Sequence, residues 1–202
     1  MVASELPQVT EQSLKELDLN CIMKKLALRV DVNYDRDLHF TPARHGKDNP
    51  RKKAADNYWE ALAVELRGLA LRSADVMETG SRPRRFRSRL AGLFDTIREI
   101  LQTLVPTRDH SAIAQQLDTD LLLQQAKHKV LDMVGLARWL AALLKMHCAP
   151  MRDGDADKMA KEIESGYLNS DMRAVTGGLK SLFGLLETMK LVGIRDILRI
   201  PF

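Results

Sequence analysis

The sequence predicts an all-α fold, a bundle of about eight helices around a buried central helix. Three observations carry this. Apolar residues recur at spacings of three and four along most of the chain, and no segment alternates with period two between turn residues. Aromatic residues make up only 5% of a chain that is 45% hydrophobic, so the core is built from Leu, Ala, Ile, Val and Met, a palette that favours helices. Finally, Val134 to Met146 is apolar on nearly every side, broken only by Gly135, Arg138 and Lys145. A helix that is hydrophobic all round has to be surrounded by other elements, which makes this one the expected centre.

Taken in order, a first helix is expected from Thr10 or Ser13, where Ser13-Leu14-Lys15-Glu16 fits the capping-box pattern, to about Val30. The Asp-, Asn- and Pro-rich stretch that follows reads as an irregular connection anchored by Val32, Tyr34, Leu38 and Phe40. Asn49-Pro50 starts a helix with Tyr58, Leu62, Leu66 and Leu69 on one face. Ser81, with Pro83 behind it, is expected to open an amphipathic helix through Phe86, Leu90, Phe94, Ile97 and Leu101, stopped by Pro106. A short helix over Asp109 to Leu117 leads to one carrying Leu121, Leu122 and Ala126. Asp132 then caps the central helix, which Pro150 ends. Asp153 to Ser165 makes a short helix stopped by Gly166, and Asp171 caps a long one from Met172 past Met189.

The 202 residues fit one helical domain over the whole chain, with enough length to bury a substantial core. Cys21 and Cys148 belong to no C-x-x-C pair and are expected to be free thiols of a reducing compartment. The polar N-terminus lacks the basic and apolar regions of a signal peptide, and no apolar run reaches 18 residues, so cytoplasmic or nuclear residence is expected.

The candidate chemistry is sparse. Asp153, Asp155, Asp157 and Glu164 have the outline of a calcium loop, but Lys158 stands where the sharp turn needs glycine, so acids at a helix N-terminus are the better reading. No two histidines have metal-ligand spacing, and adjacent His147 and Cys148 point about 100° apart on a helix. No phosphate loop or nucleophile signature occurs, and Gly177-Gly178 fits close helix packing better than ligand binding. No catalytic, cofactor or metal residues are assigned, and a non-enzyme is expected.

The strongest polar feature is a run of five arginines, Arg82, Arg84, Arg85, Arg87 and Arg89, around Phe86. At the start of a helix the macrodipole disfavours cations, so an acidic partner or an anionic lipid surface would relieve them. A second cluster, Lys47, Arg51, Lys52 and Lys53, would join it into one anion-binding surface if both face the same side. Arg84 and Arg85 also place Ser88 in a site for a basophilic kinase. The net charge of +4 is modest and aromatics are not interleaved with the basic residues, which argues against nucleic acid as the partner.

Several segments resemble the T-complex protein 11 family, and within it the fungal suppressor-of-kinase branch. They are Leu28 to Pro42 (LRVDVNYDRDLHFTP), Arg51 to Leu62 (RKKAADNYWEAL), Leu121 to Asp153 (LLLQQAKHKVLDMVGLARWLAALLKMHCAPMRD) and Leu179 to Leu191 (LKSLFGLLETMKL). The resemblance implies a helical, non-enzymatic regulator acting through protein contacts in cAMP and protein kinase A signalling. It also implies the N-terminal part of a longer domain, cut short at Phe202 or a short variant. An apolar patch is therefore expected on the last helices, with homodimerisation through it.

Overall fold

A computed structural model describes residues 5–7, 9–15, 18–25, 30, 50–71 and 88–198, with side chains except at 19, 50–52, 71 and 194–198. These residues form α1 (Glu11–Lys15), α2 (Leu19–Lys24), α3 (Pro50–Leu71) and α4 (Arg89–Leu104). After a 3-10 turn at Thr107–Asp109 come α5 (His110–Gln116), α6 (Thr119–Lys127) and α7 (Met133–His147). A second such turn, Pro150–Arg152, leads into α8 (Asp153–Leu168) and α9 (Met172–Leu198). No strand occurs among the described residues, and the all-α bundle is the fold.

Local chemistry sets most of the boundaries. Thr10 and Ser13 cap α1 reciprocally: the Ser13 N–H donates to Thr10 Oγ1 at 3.2 Å and the Thr10 N–H to Ser13 Oγ at 2.9 Å. The expected single N-terminal helix is two, because Asp18 takes an extended backbone and opens α2 as its N-cap. The connection anchored by Val32, Tyr34, Leu38 and Phe40 lies outside the described residues. Asp118, Asp132 and Asp171 cap α6, α7 and α9, each carboxylate accepting a backbone N–H from the first turn. Helices α6 and α8 end alike, in Schellman turns whose left-handed residues are Lys129 (φ 60°) and Ser170 (φ 56°) rather than glycine. At the second, the Asp171 N–H donates to the Gly166 carbonyl at 2.7 Å and the Ser170 N–H to Tyr167 O at 3.2 Å. Gly166 therefore does not stop α8, which runs on to Leu168. Its missing Cβ admits the next helix, since a β-carbon there would lie 2.7 Å from the Val175 backbone nitrogen.

The bundle has a buried central helix, and it is α9 rather than the expected Val134–Met146 segment. Leu182, Phe183, Leu185, Leu186 and Glu187 are buried, covering more than half of the helix's circumference. α9 packs on α8, α3 and α4, and its 27 residues span about 40 Å. α7 packs mainly on α8 and leaves Arg138, Ala142 and Met146 open to solvent. Ala142 exposes so little apolar area that the open strip costs little, which is why apolar residues on every side misled. Trp59 packs edge-on against Phe183 at 5.7 Å, locking α3 to α9. Antiparallel ion pairs follow the same seams. Arg173–Glu60 (2.5 Å) and Lys180–Asp56 (3.4 Å) link α9 to α3, and Arg138–Glu164 and Lys145–Asp157 link α7 to α8. These are largely solvent-exposed pairs, so they mark register more than they stabilise.

An apolar patch was expected on the last helices: residues 172–193 of α9 expose no large apolar side chain, while Leu168 at the end of α8 does. Exposed apolar groups also sit at Val130, Met146 and Met151. Among the described residues no helix is long and apolar enough to cross a membrane.

Candidate partner-binding site

The basic residues singled out in the sequence are divided by the structure. Arg82, Arg84, Arg85 and Arg87 lie outside the described residues. Arg51 and Lys52 fall in the first turn of α3 with side chains outside the described set, and Lys53 beside them is exposed. Ser88 is not helical, so α4 begins at Arg89 and not at the expected Ser81. Arg89 turns inward, its side chain only 12% exposed, and does not belong to an outward-facing cluster.

What holds Ser88 and Arg89 is Glu65, which reaches across from α3. One carboxylate oxygen accepts the Ser88 hydroxyl proton. The other accepts the Arg89 N–H at 3.2 Å and lies 4.0 Å from the Arg89 guanidinium. A serine at the N-cap ordinarily turns its oxygen onto its own helix, but Ser88 makes no such bond. Glu65 supplies the acceptor instead, at the end of α4 where the dipole favours an anion. The Tyr58 hydroxyl, also on α3, is buried with no hydrogen-bond partner among the described residues. Burial holds that phenol well above its usual pKa, and the Glu65 carboxylate adds to the shift. Glu65 carried no signal in the sequence, because its partners are 23 and 24 positions away on another helix.

Ser88 also lines a crevice of about 470 Å³ with Glu5, Glu11, Gln12, Asp95 and Glu99. Glu11 is paired with Lys15 at 2.8 Å. Asp95 accepts from Arg98 at 2.8 Å and from the Thr119 hydroxyl at 2.6 Å, tying α4 to the start of α6. Along α3, Glu65 is about 18 Å from Lys53, twelve residues of helix rise, so Arg89 and Lys53 lie at well-separated points along this helix.

A second crevice of about 470 Å³ lies where α4, α7 and α9 end, lined by His147, Cys148, Arg152, Leu185, Met189 and Lys190 among others. His147 Nε2 stands 3.2 Å from Asp109 Oδ2. A cysteine beside a His–Asp pair invites comparison with a thiol nucleophile, but the electrostatics oppose it. Burial first, and then the Asp153 carboxylate, push the Cys148 thiol up, away from the thiolate such chemistry needs. Asp155, Asp157 and Glu164 of the calcium-loop outline are spread along α8 and paired to Arg152, Lys145 and Arg138. Among the described residues no group of three or more His, Cys, Asp or Glu is placed to hold a metal ion.

The family model of T-complex protein 11 matches residues 28–192, from ahead of α3 to near the end of α9. This chain belongs to the T-complex protein 11 family. It is 38% identical over 189 residues to Protein SOK1 of Saccharomyces cerevisiae, a match covering 92% of this chain and 20% of that protein. Two human members match shorter stretches. T-complex protein 11-like X-linked protein 1 is 37% identical over 81 residues, covering 39% of this chain and 16% of its own. T-complex protein 11 homolog is 31% identical over 91 residues, covering 44% and 18%. The chain thus spans about a fifth of the length of the curated relatives it matches. No solved structure matches it. The matched residues of this T-complex protein 11 domain run through the core from α3 to α9, and the Ser88–Glu65 junction lies within them.

Proposed function

We propose that this chain is the helical module of a non-enzymatic regulator in cAMP and protein kinase A signalling, working by protein–protein contact in the cytoplasm or nucleus. Membership of the T-complex protein 11 family is the observation that carries the reading, through a match that follows the bundle from α3 to α9 rather than a single pocket. The geometry supports it. The two polar crevices pair most of their charged groups internally, and the thiol beside His147 is held protonated. The contact surface proposed is the basic one entering α4, Arg82 to Arg87, with Arg51, Lys52 and Lys53 at the far end of α3.

The arginine run is equally able to meet anionic lipid, and one comparison separates the two partners. Purified kinase subunits and phosphoinositide liposomes are each offered to the wild type and to Arg84→Glu/Arg85→Glu. The regulator reading expects retention on a kinase subunit that the double variant loses at least tenfold, with both proteins left in the liposome supernatant. Co-sedimentation of the wild type alone, without kinase binding, overturns it in favour of a peripheral membrane module.

A further inference from the structure

We propose that Ser88 is a phosphorylation site for an arginine-directed kinase, and that its phosphate displaces Glu65 from the N-terminus of α4 and so unlatches α3 from α4. This adds regulation to the contact surface proposed above, yet it is tested without reference to any partner of that surface. Four observations converge on the residue. Ser88 is half-buried and lines a crevice of about 470 Å³. It donates to Glu65, which makes it the middle of a bridge between two helices rather than a local cap. The same carboxylate accepts the Arg89 N–H at 3.2 Å, so one acid holds the first residues of α4. And Arg84 and Arg85 precede it at the spacing such kinases read.

The transfer itself is ordinary. Ser88 Oγ attacks the γ-phosphorus of a nucleoside triphosphate, the new O–P bond replaces the bond to the β–γ bridging oxygen, and the nucleoside diphosphate leaves with that electron pair. The hydroxyl proton passes to the kinase's base. The consequence is particular to this fold. A serine hydroxyl donates to Glu65, whereas a phosphate near neutral pH carries close to two negative charges and has no comparable proton to give. Phosphate and carboxylate cannot both occupy the place where one carboxylate now accepts two donors. The phosphate is covalently fixed next to the helix end, where the dipole and the Arg89 N–H favour an anion. Glu65 sits on a flexible stem from another helix and is the one to move. Glu5 and Glu99 also line the crevice and disfavour a second anion turning into it. The Arg89 guanidinium, 4.0 Å from the Glu65 carboxylate, is a cation next in sequence to the phosphate and favours an anion there.

The test uses the full chain, ATP and the catalytic subunit of an arginine-directed kinase, with peptide mass spectrometry and amide exchange as readouts. Ser88 is expected to be modified to near completion in the folded protein, at least tenfold more slowly in Arg84→Ala/Arg85→Ala. Exchange of the α3 amides around Glu65 should then quicken several-fold, while those of α7 and α8 are unchanged. In Glu65→Gln the latch is already weakened, so modification should be faster than in wild type and phosphate should no longer alter exchange in α3. An unmodified Ser88 in folded wild type overturns the proposal, as does phosphate that leaves α3 exchange unchanged, or that quickens it equally in Glu65→Gln. None of these results bears on whether the arginines bind a kinase subunit or lipid, so the two readings fail separately.

Discussion

At the level of single residues, the polar groups that matter are those whose neighbours come from other helices. Tyr58 was expected on the buried face of α3 and is there, with no exposure at all. Its hydroxyl, however, has no hydrogen-bond partner among the described residues. A buried polar group left unpaired costs about 1–3 kcal/mol, so Tyr58→Phe should raise stability by about 1 kcal/mol, read as a higher denaturant midpoint with unchanged slope. The pH dependence gives a second reading of the same substitution. Burial raises the folded-state pKa above the ordinary 10.0, so the folded phenol keeps its proton where the unfolded one ionises. Stability is therefore retained below about pH 10 and falls as pH rises beyond it. Tyr58→Phe should remove that part of the alkaline loss, and an equal loss in both proteins would contradict the assignment. The residue's place on its face was legible from spacing; its missing partner was not, because that depends on what the neighbouring helices bring.

At the level of elements, caps and breakers were legible because they act over three or four residues. Asp132 and Asp171 open the helices they were expected to open. Glycines were harder, since their role depends on what stands opposite. The Gly177-Gly178 pair shows the difference. A β-carbon on Gly178 would lie 2.5 Å from Ile163 Cγ1 and 3.1 Å from Met159 O of α8, whereas one on Gly177 meets nothing within 4 Å. Gly178→Ala should therefore destabilise by about 1–3 kcal/mol by wedging α8 from α9. Gly177→Ala should stabilise by up to about 1 kcal/mol, as alanine does in an exposed helix. Thermal melts of the two variants with the same sign of shift would refute the packing. The arginine run is the case where local reading went astray. A helix was expected from Ser81, but Ser88 is not helical and α4 starts at Arg89, whose side chain is only 12% exposed beside Glu65; Arg82 to Arg87 lie outside the described residues.

At the level of the whole molecule, the centre of the bundle is the point of greatest consequence. Leu186 is fully buried in α9, the helix that packs on α3, α4 and α8, so Leu186→Ala should cost about 2–5 kcal/mol and lower the single unfolding transition as a whole. Met146→Ala, on the segment expected to be central, should cost less than about 0.5 kcal/mol, because Met146 is 70% exposed. Equal losses by chemical denaturation would put the centre back at α7. Sequence by itself determined the all-α class, most helix boundaries, the caps and the family, all of which rest on periodicity, backbone chemistry or a distinctive run of residues. Only the tertiary structure decided which helix is surrounded, which glycine is a contact, and that Glu65 rather than a local side chain holds Ser88. Spacing says which residues share a face; what that face meets is fixed by elements far away in the chain, and burial and electrostatic pairing are properties of that meeting.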